Sequence, residues 1–138
     1  MSYGVVIVTH YGLGSEFLQA LRLIVPEAPE YQAVSLDPSQ SVDEMRRLIA
    51  AGIRAADRGE GVLILTDMFG GTPSNLALSF LKEHPVEVVT GVNLPMLIKL
   101  ATLRDAKKSL SELAVFIKEY GQRNISVASQ ILPEGRGA

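Results

Sequence analysis

The chain has 138 residues, 47% of them hydrophobic, which is the size of one domain with enough apolar material for a core that needs no disulfide or structural metal. Its 13 basic and 15 acidic side chains leave a net charge of −2, with no basic stripe or like-charge run of the kind that nucleic acid or an anionic membrane requires. Cysteine is absent, which excludes thiolate chemistry and fits a reducing compartment; the opening apolar run has no basic segment before it and is too short to span a bilayer, so a cytoplasmic location without direct membrane insertion is expected.

Short apolar runs rich in Val and Ile alternate with longer segments of helical period, which argues for a mostly parallel sheet with helices on both faces. The first run, Tyr3–Thr9, is a buried strand that delivers His10 to its carboxyl end. Gly12 and Gly14 make a tight loop, and Ser15 is placed to cap a helix carrying Phe17, Leu18, Leu21, Ile24 and Val25, stopped near Pro26. A second strand follows at Tyr31–Leu36. Ser41 and Glu44 then have capping-box spacing ahead of Met45, Leu48, Ile49 and Ile53, with Gly59 where that helix ends. The third strand, Val62–Thr66, delivers Asp67 into the turn Met68-Phe69-Gly70-Gly71-Thr72-Pro73, where the glycines can take positive φ, Thr72 serves as N-cap and Pro73 suits the first helical position. The fourth, Val86–Gly91, leads through Asn93, Leu94 and Pro95 into another helix. Ser109 and Glu112 repeat the capping box before Leu113, Phe116 and Ile117, and a weaker fifth strand is expected at Asn124–Ser129. No repeat or linker interrupts the pattern, which reads as one domain over residues 1–132 and a short tail, 133–138.

Right-handed crossovers favour a doubly wound, flavodoxin-like α/β sheet of five strands in the order 2-1-3-4-5, with strands one and three side by side. That order makes His10 and Asp67 neighbours at the carboxyl ends of the strands, where open α/β sheets bind ligands. Helices starting after Gly14 and at Thr72-Pro73 would aim free N–H groups and positive dipole ends into one crevice, a setting that binds phosphate. An imidazole in a phosphate site points to phosphohistidine. Asp67 would accept the proton of one ring nitrogen, fix the tautomer and leave the other nitrogen as nucleophile. Its repulsion of a dianionic phosphoryl about 5 Å away, several kcal/mol at an effective dielectric of about 20, makes a carrier suited to passing the group on. Gly70, Gly71 and Thr72 leave room for the Thr72 hydroxyl and nearby amides to hold phosphoryl oxygens. Phe69 is expected to be exposed as part of a docking surface, and Asn93, Leu94 and Pro95 to line the same crevice.

Each of these residues also has a structural reading: a strand-end histidine bonding its loop, an aspartate capping a Gly-Gly turn, glycines serving the turn alone. On the residues by themselves both readings stand. His84, before Pro85 in a polar turn, reads as a surface residue. A dinucleotide fingerprint beginning at Gly12-Leu13-Gly14 fails at Phe17, where the third glycine belongs. A receiver domain needs carboxylates after the first strand and finds Thr9-His10-Tyr11 instead. A metal site lacks a third ligand beside His10 and Asp67, so neither metal nor cofactor is expected.

Three blocks, Val-Ile-Val-Thr-His10, Leu-Ile-Leu-Thr-Asp67-Met-Phe-Gly-Gly-Thr-Pro-Ser-Asn75 and Thr-Gly-Val-Asn-Leu-Pro-Met96-Leu, together resemble the mannose-type IIA proteins of the bacterial phosphoenolpyruvate:sugar phosphotransferase system. The resemblance implies a phosphotransferase component in which His10 takes a phosphoryl group from the carrier HPr on Nε2, with Asp67 bonded to Nδ1, and hands it to a IIB protein. It also implies a homodimer that exchanges an edge strand, a role the fifth strand would serve. Many members continue through a linker into a IIB domain, whereas this sequence stops at Ala138; the expected acceptor is therefore a separate IIB protein for sugar uptake or a regulatory target. The phosphoryl-transfer subunit of dihydroxyacetone kinase is a nearer alternative, and a flavodoxin-like binding module without covalent chemistry a more distant one.

Overall fold

Runs of Val, Ile and Leu that cannot be left in water form the centre of the computed structural model, which describes residues 2–103 and 107–132. The strands are β1 (Gly4–His10), β2 (Gln32–Leu36), β3 (Val62–Thr66) and β4 (Val86–Thr90), all parallel and in the order β2-β1-β3-β4. The helices are α1 (Leu13–Ile24), α2 (Val42–Ala56), α3 (Thr72–Leu78), α4 (Leu94–Thr102), α5 (Leu110–Arg123) and the single turn α6 (Ala128–Ile131).

Side-chain alternation along the strands divides the core in two. Val5, Ile7, Leu63, Leu65 and Val89 face α1, α4 and α5, while Val6, Val8, Val34, Ile64 and Val86 face α2 and α3. Burial of each such aliphatic chain contributes about 1.5–3 kcal/mol, which is why β1 and β3, covered on both faces, read as unbroken apolar runs. Both capping boxes form as expected: Ser41 Oγ accepts the Glu44 N–H and Ser109 Oγ accepts the Glu112 N–H, each glutamate bonding back to the N-cap amide.

Among the described residues the sheet has four strands, not five. Asn124 caps the end of α5, residues 125–127 are irregular, and Ala128–Ile131 is a helical turn where a strand was expected. The cause is the direction of α5. Asn93, at the carboxyl end of β4, donates from Nδ2 to the Gly121 carbonyl at 3.1 Å, so the end of α5 lies at that end of the sheet. The start of α5 lies at the opposite end, where Tyr3 donates its hydroxyl to the Lys108 carbonyl. α5 therefore runs alongside the strands, and the chain leaves it at the carboxyl edge. A parallel fifth strand would have to begin at the other edge, so this segment cannot supply one next to its own β4.

Two caps differ from expectation as well. α1 starts at Leu13 with Gly12 as N-cap and no side chain of its own capping it; the buried Thr9 hydroxyl accepts the N–H of Gly14 in the first turn, at 2.8 Å, and Ser15 lies inside the helix. α3 has Gly71, not Thr72, as its N-cap, and uses no side-chain cap bond. The 133–138 tail lies outside the described residues. Among the described residues no helix is long and apolar enough to cross a membrane.

Candidate functional site

β1 and β3 are adjacent and in parallel register, Val8 opposite Thr66, so the residues just beyond that pair emerge side by side. His10 Nδ1 stands 2.7 Å from Asp67 Oδ2, and the His10 main-chain N–H donates to the same oxygen at 3.0 Å. Oδ1 accepts the Met68 N–H at 3.1 Å. A carboxylate oxygen only accepts, so Nδ1 is the protonated nitrogen and Nε2 carries the free lone pair.

The pair is asymmetric in exposure, with 44% of the imidazole and 12% of the Asp67 side chain open to solvent. Burial works to raise the Asp67 pKa, but the hydrogen bonds from the His10 main-chain N–H and ring, with the charge of that ring, outweigh it and hold the carboxyl below its ordinary value. Asp67 is therefore an anion at neutral pH, held in place by three donors and aimed at the ring.

The free edge of the imidazole faces the β3–α3 turn. Gly70 has φ +89°, which a side chain would oppose, and leaves the turn open. At Gly71 the spacing is tighter: a Cβ would lie 2.8 Å from His10 Cε1 and 3.2 Å from Nε2. Thr72 is exposed, and its hydroxyl is not used to cap α3. A crevice of about 190 Å³ joins His10 and Thr72 to Tyr11, Leu36, Met45 and Pro73. The Gly14 amide does not face this crevice, because its N–H is taken by Thr9.

Phe69 is 72% exposed beside this turn, and Met68 is also open. Asn93, Leu94 and Pro95 occupy the same end of the sheet but are not brought into the His10 crevice. Asn93 Oδ1 accepts the Met96 N–H as the cap of α4, and Leu94 packs on the core. His84 is half-buried with its ring 5.8 Å from that of Phe80, away from Asp67. Among the described residues no three His, Asp or Glu side chains gather as a metal site. Thr9 is a residue the sequence reading passed over: inside an apolar run, its hydroxyl had no signal to distinguish it from any strand threonine.

The family model described as "PTS system fructose IIA component" matches residues 4–118. The chain is 30% identical over 127 residues to the mannose-specific EIIAB component of Escherichia coli K12, covering 91% of this chain but only 39% of that protein, so it spans about two-fifths of that relative. It is 30% identical over 98 residues to the sorbose-specific EIIA component of Lacticaseibacillus casei, covering 70% of each. Among solved structures, a mannose/sorbose-specific IIA subunit from Enterococcus faecalis superposes with a TM-score of 0.85 at 28% identity, covering 97% of this chain and 98% of that one.

Proposed function

The chain belongs to the mannose-type IIA family of the sugar phosphotransferase system, and on that footing we propose that it is a phosphocarrier which accepts a phosphoryl group from phospho-HPr on His10 Nε2 and donates it to a IIB protein. The observation that carries this reading is the 2.7 Å contact between His10 Nδ1 and Asp67 Oδ2, which leaves Nε2 as the one nitrogen able to attack.

In the forward step the Nε2 lone pair attacks phosphorus in line with the donor's P–N bond. The new N–P bond forms as the donor nitrogen leaves with its electron pair, and Nδ1 keeps its proton. Asp67 stabilises the positive charge that the phosphorylated ring acquires and resists the phosphoryl dianion, so the adduct remains transferable. The Thr72 hydroxyl and the open backbone at Gly70 and Gly71 are placed to hold the equatorial oxygens, since such transfers depend chiefly on positioning and charge stabilisation. Phe69, with Asn93, Leu94 and Pro95 farther along the same end of the sheet, forms the docking face for both carriers.

We also infer a homodimer. The outer edge of β4 is unpaired among the described residues, and Ile125, Val127, Ile131 and Leu132 are exposed on the segment that leaves α5 beside it. That segment starts at the carboxyl end of its own β4, where it cannot turn back as a parallel neighbour of that strand, and it is available to the β4 edge of a second copy.

Incubation with phosphoenolpyruvate, enzyme I and HPr should add one phosphoryl group by intact mass, labile in acid and stable in base. His10→Ala should abolish the addition and His84→Ala should preserve it. Phosphorylation of His10→Ala, or none of the wild type, would overturn the reading; parallel chases with a purified IIB protein identify the acceptor.

A further inference from the structure

Directly after the candidate nucleophile the backbone takes a conformation that few side chains tolerate. Tyr11 has φ +47°, and it is the one non-glycine with positive φ among the described residues. For an aromatic residue this is a genuine outlier, because Cβ crowds the neighbouring carbonyl. Such a residue stays in place only where its surroundings over-determine it, and outliers of this kind cluster at functional sites.

Three hydrogen bonds supply the constraint. The Tyr11 N–H donates to the Leu36 carbonyl at 2.7 Å, tying the turn to the end of β2. The Thr9 hydroxyl donates to the Tyr11 carbonyl at 3.1 Å, and the same oxygen accepts the Gly14 N–H at 2.8 Å. Thr9 is fully buried, so water does not compete for its hydroxyl. His10 sits between Thr9 and Tyr11, with its own N–H on Asp67. A side chain that points away from the crevice thus ties the backbone after the imidazole to the strand that precedes it.

We propose that Thr9 is a positioning residue for phosphoryl transfer: its hydroxyl clamps Tyr11 in the left-handed conformation, and that turn sets the His10 ring on Asp67 with Nε2 open to the crevice. This rests on the reading of His10 as the phosphoryl carrier. The clamp acts on the backbone of Tyr11 and not through its phenol. Without the hydroxyl, Tyr11 relaxes towards negative φ, the start of α1 moves, and the ring loses its single setting.

The test uses Thr9→Val, Thr9→Ser, Tyr11→Gly, Tyr11→Val and the double variant Thr9→Val/Tyr11→Gly. Two readouts are taken: the rate of phosphoryl entry from phospho-HPr, and the ring ¹⁵N resonances of His10 recorded with no phosphoryl donor present. Thr9→Val should slow entry about tenfold and turn the single-tautomer ¹⁵N pattern into an averaged one, the scale expected when one strained residue is released and a reacting group is displaced. Thr9→Ser should keep both. Tyr11→Gly should keep the wild-type ring pattern, and adding Thr9→Val to it should change neither that pattern nor the rate of Tyr11→Gly alone, because glycine takes this conformation unaided. Tyr11→Val, whose β-branch opposes positive φ, should act like Thr9→Val, and it serves if Thr9→Val does not fold. A wild-type ring pattern in folded Thr9→Val or in Tyr11→Val, an averaged pattern in Tyr11→Gly, or an averaged pattern or further slowing when Thr9→Val is added to Tyr11→Gly would overturn the clamp. If the wild type takes no phosphoryl group the carrier reading fails, while the ring resonances still decide the clamp.

Discussion

Gly71 lies so close to the His10 imidazole that a Cβ on it would stand 2.8 Å from Cε1. Its φ of −88° is open to any residue, so the glycine is required by this approach and not by the backbone. Gly71→Ala should therefore fold with little loss of stability, yet push the ring off Asp67 or cover Nε2. Phosphoryl entry from phospho-HPr should fall at least about tenfold, in line with the sensitivity of transfer to small displacements. Unchanged entry kinetics in the folded variant would show that the ring yields freely and that the approach is incidental.

Asp67 links the site to pH through stability as well as rate. Its folded pKa is lowered from the ordinary value near 3.9, so the stabilisation it provides is complete above that value and is lost as pH falls through the folded pKa. Denaturant melts of wild type and Asp67→Ala should differ at pH 7 and converge in acid, once the pH has fallen through the lowered folded pKa of Asp67. The variant should also transfer more slowly, by less than the roughly 10⁴ lost when an orienting aspartate is removed from a serine-protease triad, where proton transfer depends on it too. A stability gap that widens in acid, or transfer at the wild-type rate, would contradict this account.

Gly4 tests the fold independently of the site. A Cβ there would lie 2.1 Å from the Ala56 carbonyl oxygen, where the end of α2 crosses the start of β1. That neighbour is backbone and cannot swing aside, so Gly4→Ala should cost about 3 kcal/mol or more, at the upper end for overpacking. A melting temperature within a few degrees of wild type would mean that α2 sits farther from β1 than described.

The adjacency of His10 and Asp67 was legible because it needs only the placement of strand three beside strand one, which the right-handed crossover rule supplies. The direction of α5 was not. The Ser109 capping box announces where that helix begins, but a cap carries no information about which way the helix crosses the sheet, and the reversal from α4 to α5 is what removes the parallel fifth strand. Short apolar stretches such as Asn124–Ser129 are also ambiguous between strand and helical turn by pattern alone. Thr9 and Tyr11 were illegible for another reason: a clamp made by a buried hydroxyl and a left-handed tyrosine leaves no periodicity, and its partners at Leu36 and Gly14 meet only in the fold.

The edge of β4, unpaired among the described residues, predicts self-association. Val127 and Ile131 are exposed on the segment that emerges beside that edge, and apolar side chains next to an unpaired strand favour pairing with a second copy. Sedimentation equilibrium should find the wild type dimeric at micromolar concentration and Val127→Asp/Ile131→Asp monomeric with the same far-UV circular dichroism. A monomeric wild type would leave the edge without the partner assigned to it.

Phe69 is 72% exposed on the turn that faces the free edge of His10, where a large apolar side chain gains nothing from the fold itself. Its contribution is expected in encounters with other proteins. A carrier uses one nucleophile for entry and exit, so donor and acceptor must each approach Nε2 through the opening beside this turn, and both should touch Phe69. A charge at the centre of such a contact weakens docking by leaving itself desolvated and unpaired. Phe69→Glu should thus slow entry from phospho-HPr and exit to a IIB protein together, each by about tenfold or more, while the melting temperature stays near that of wild type. The decisive measurement is single-turnover transfer in both directions at several partner concentrations: the loss should shrink as partner concentration rises, since docking and not chemistry is impaired. If only one direction slows, the two partners use different faces; if neither does, the docking surface lies away from this turn.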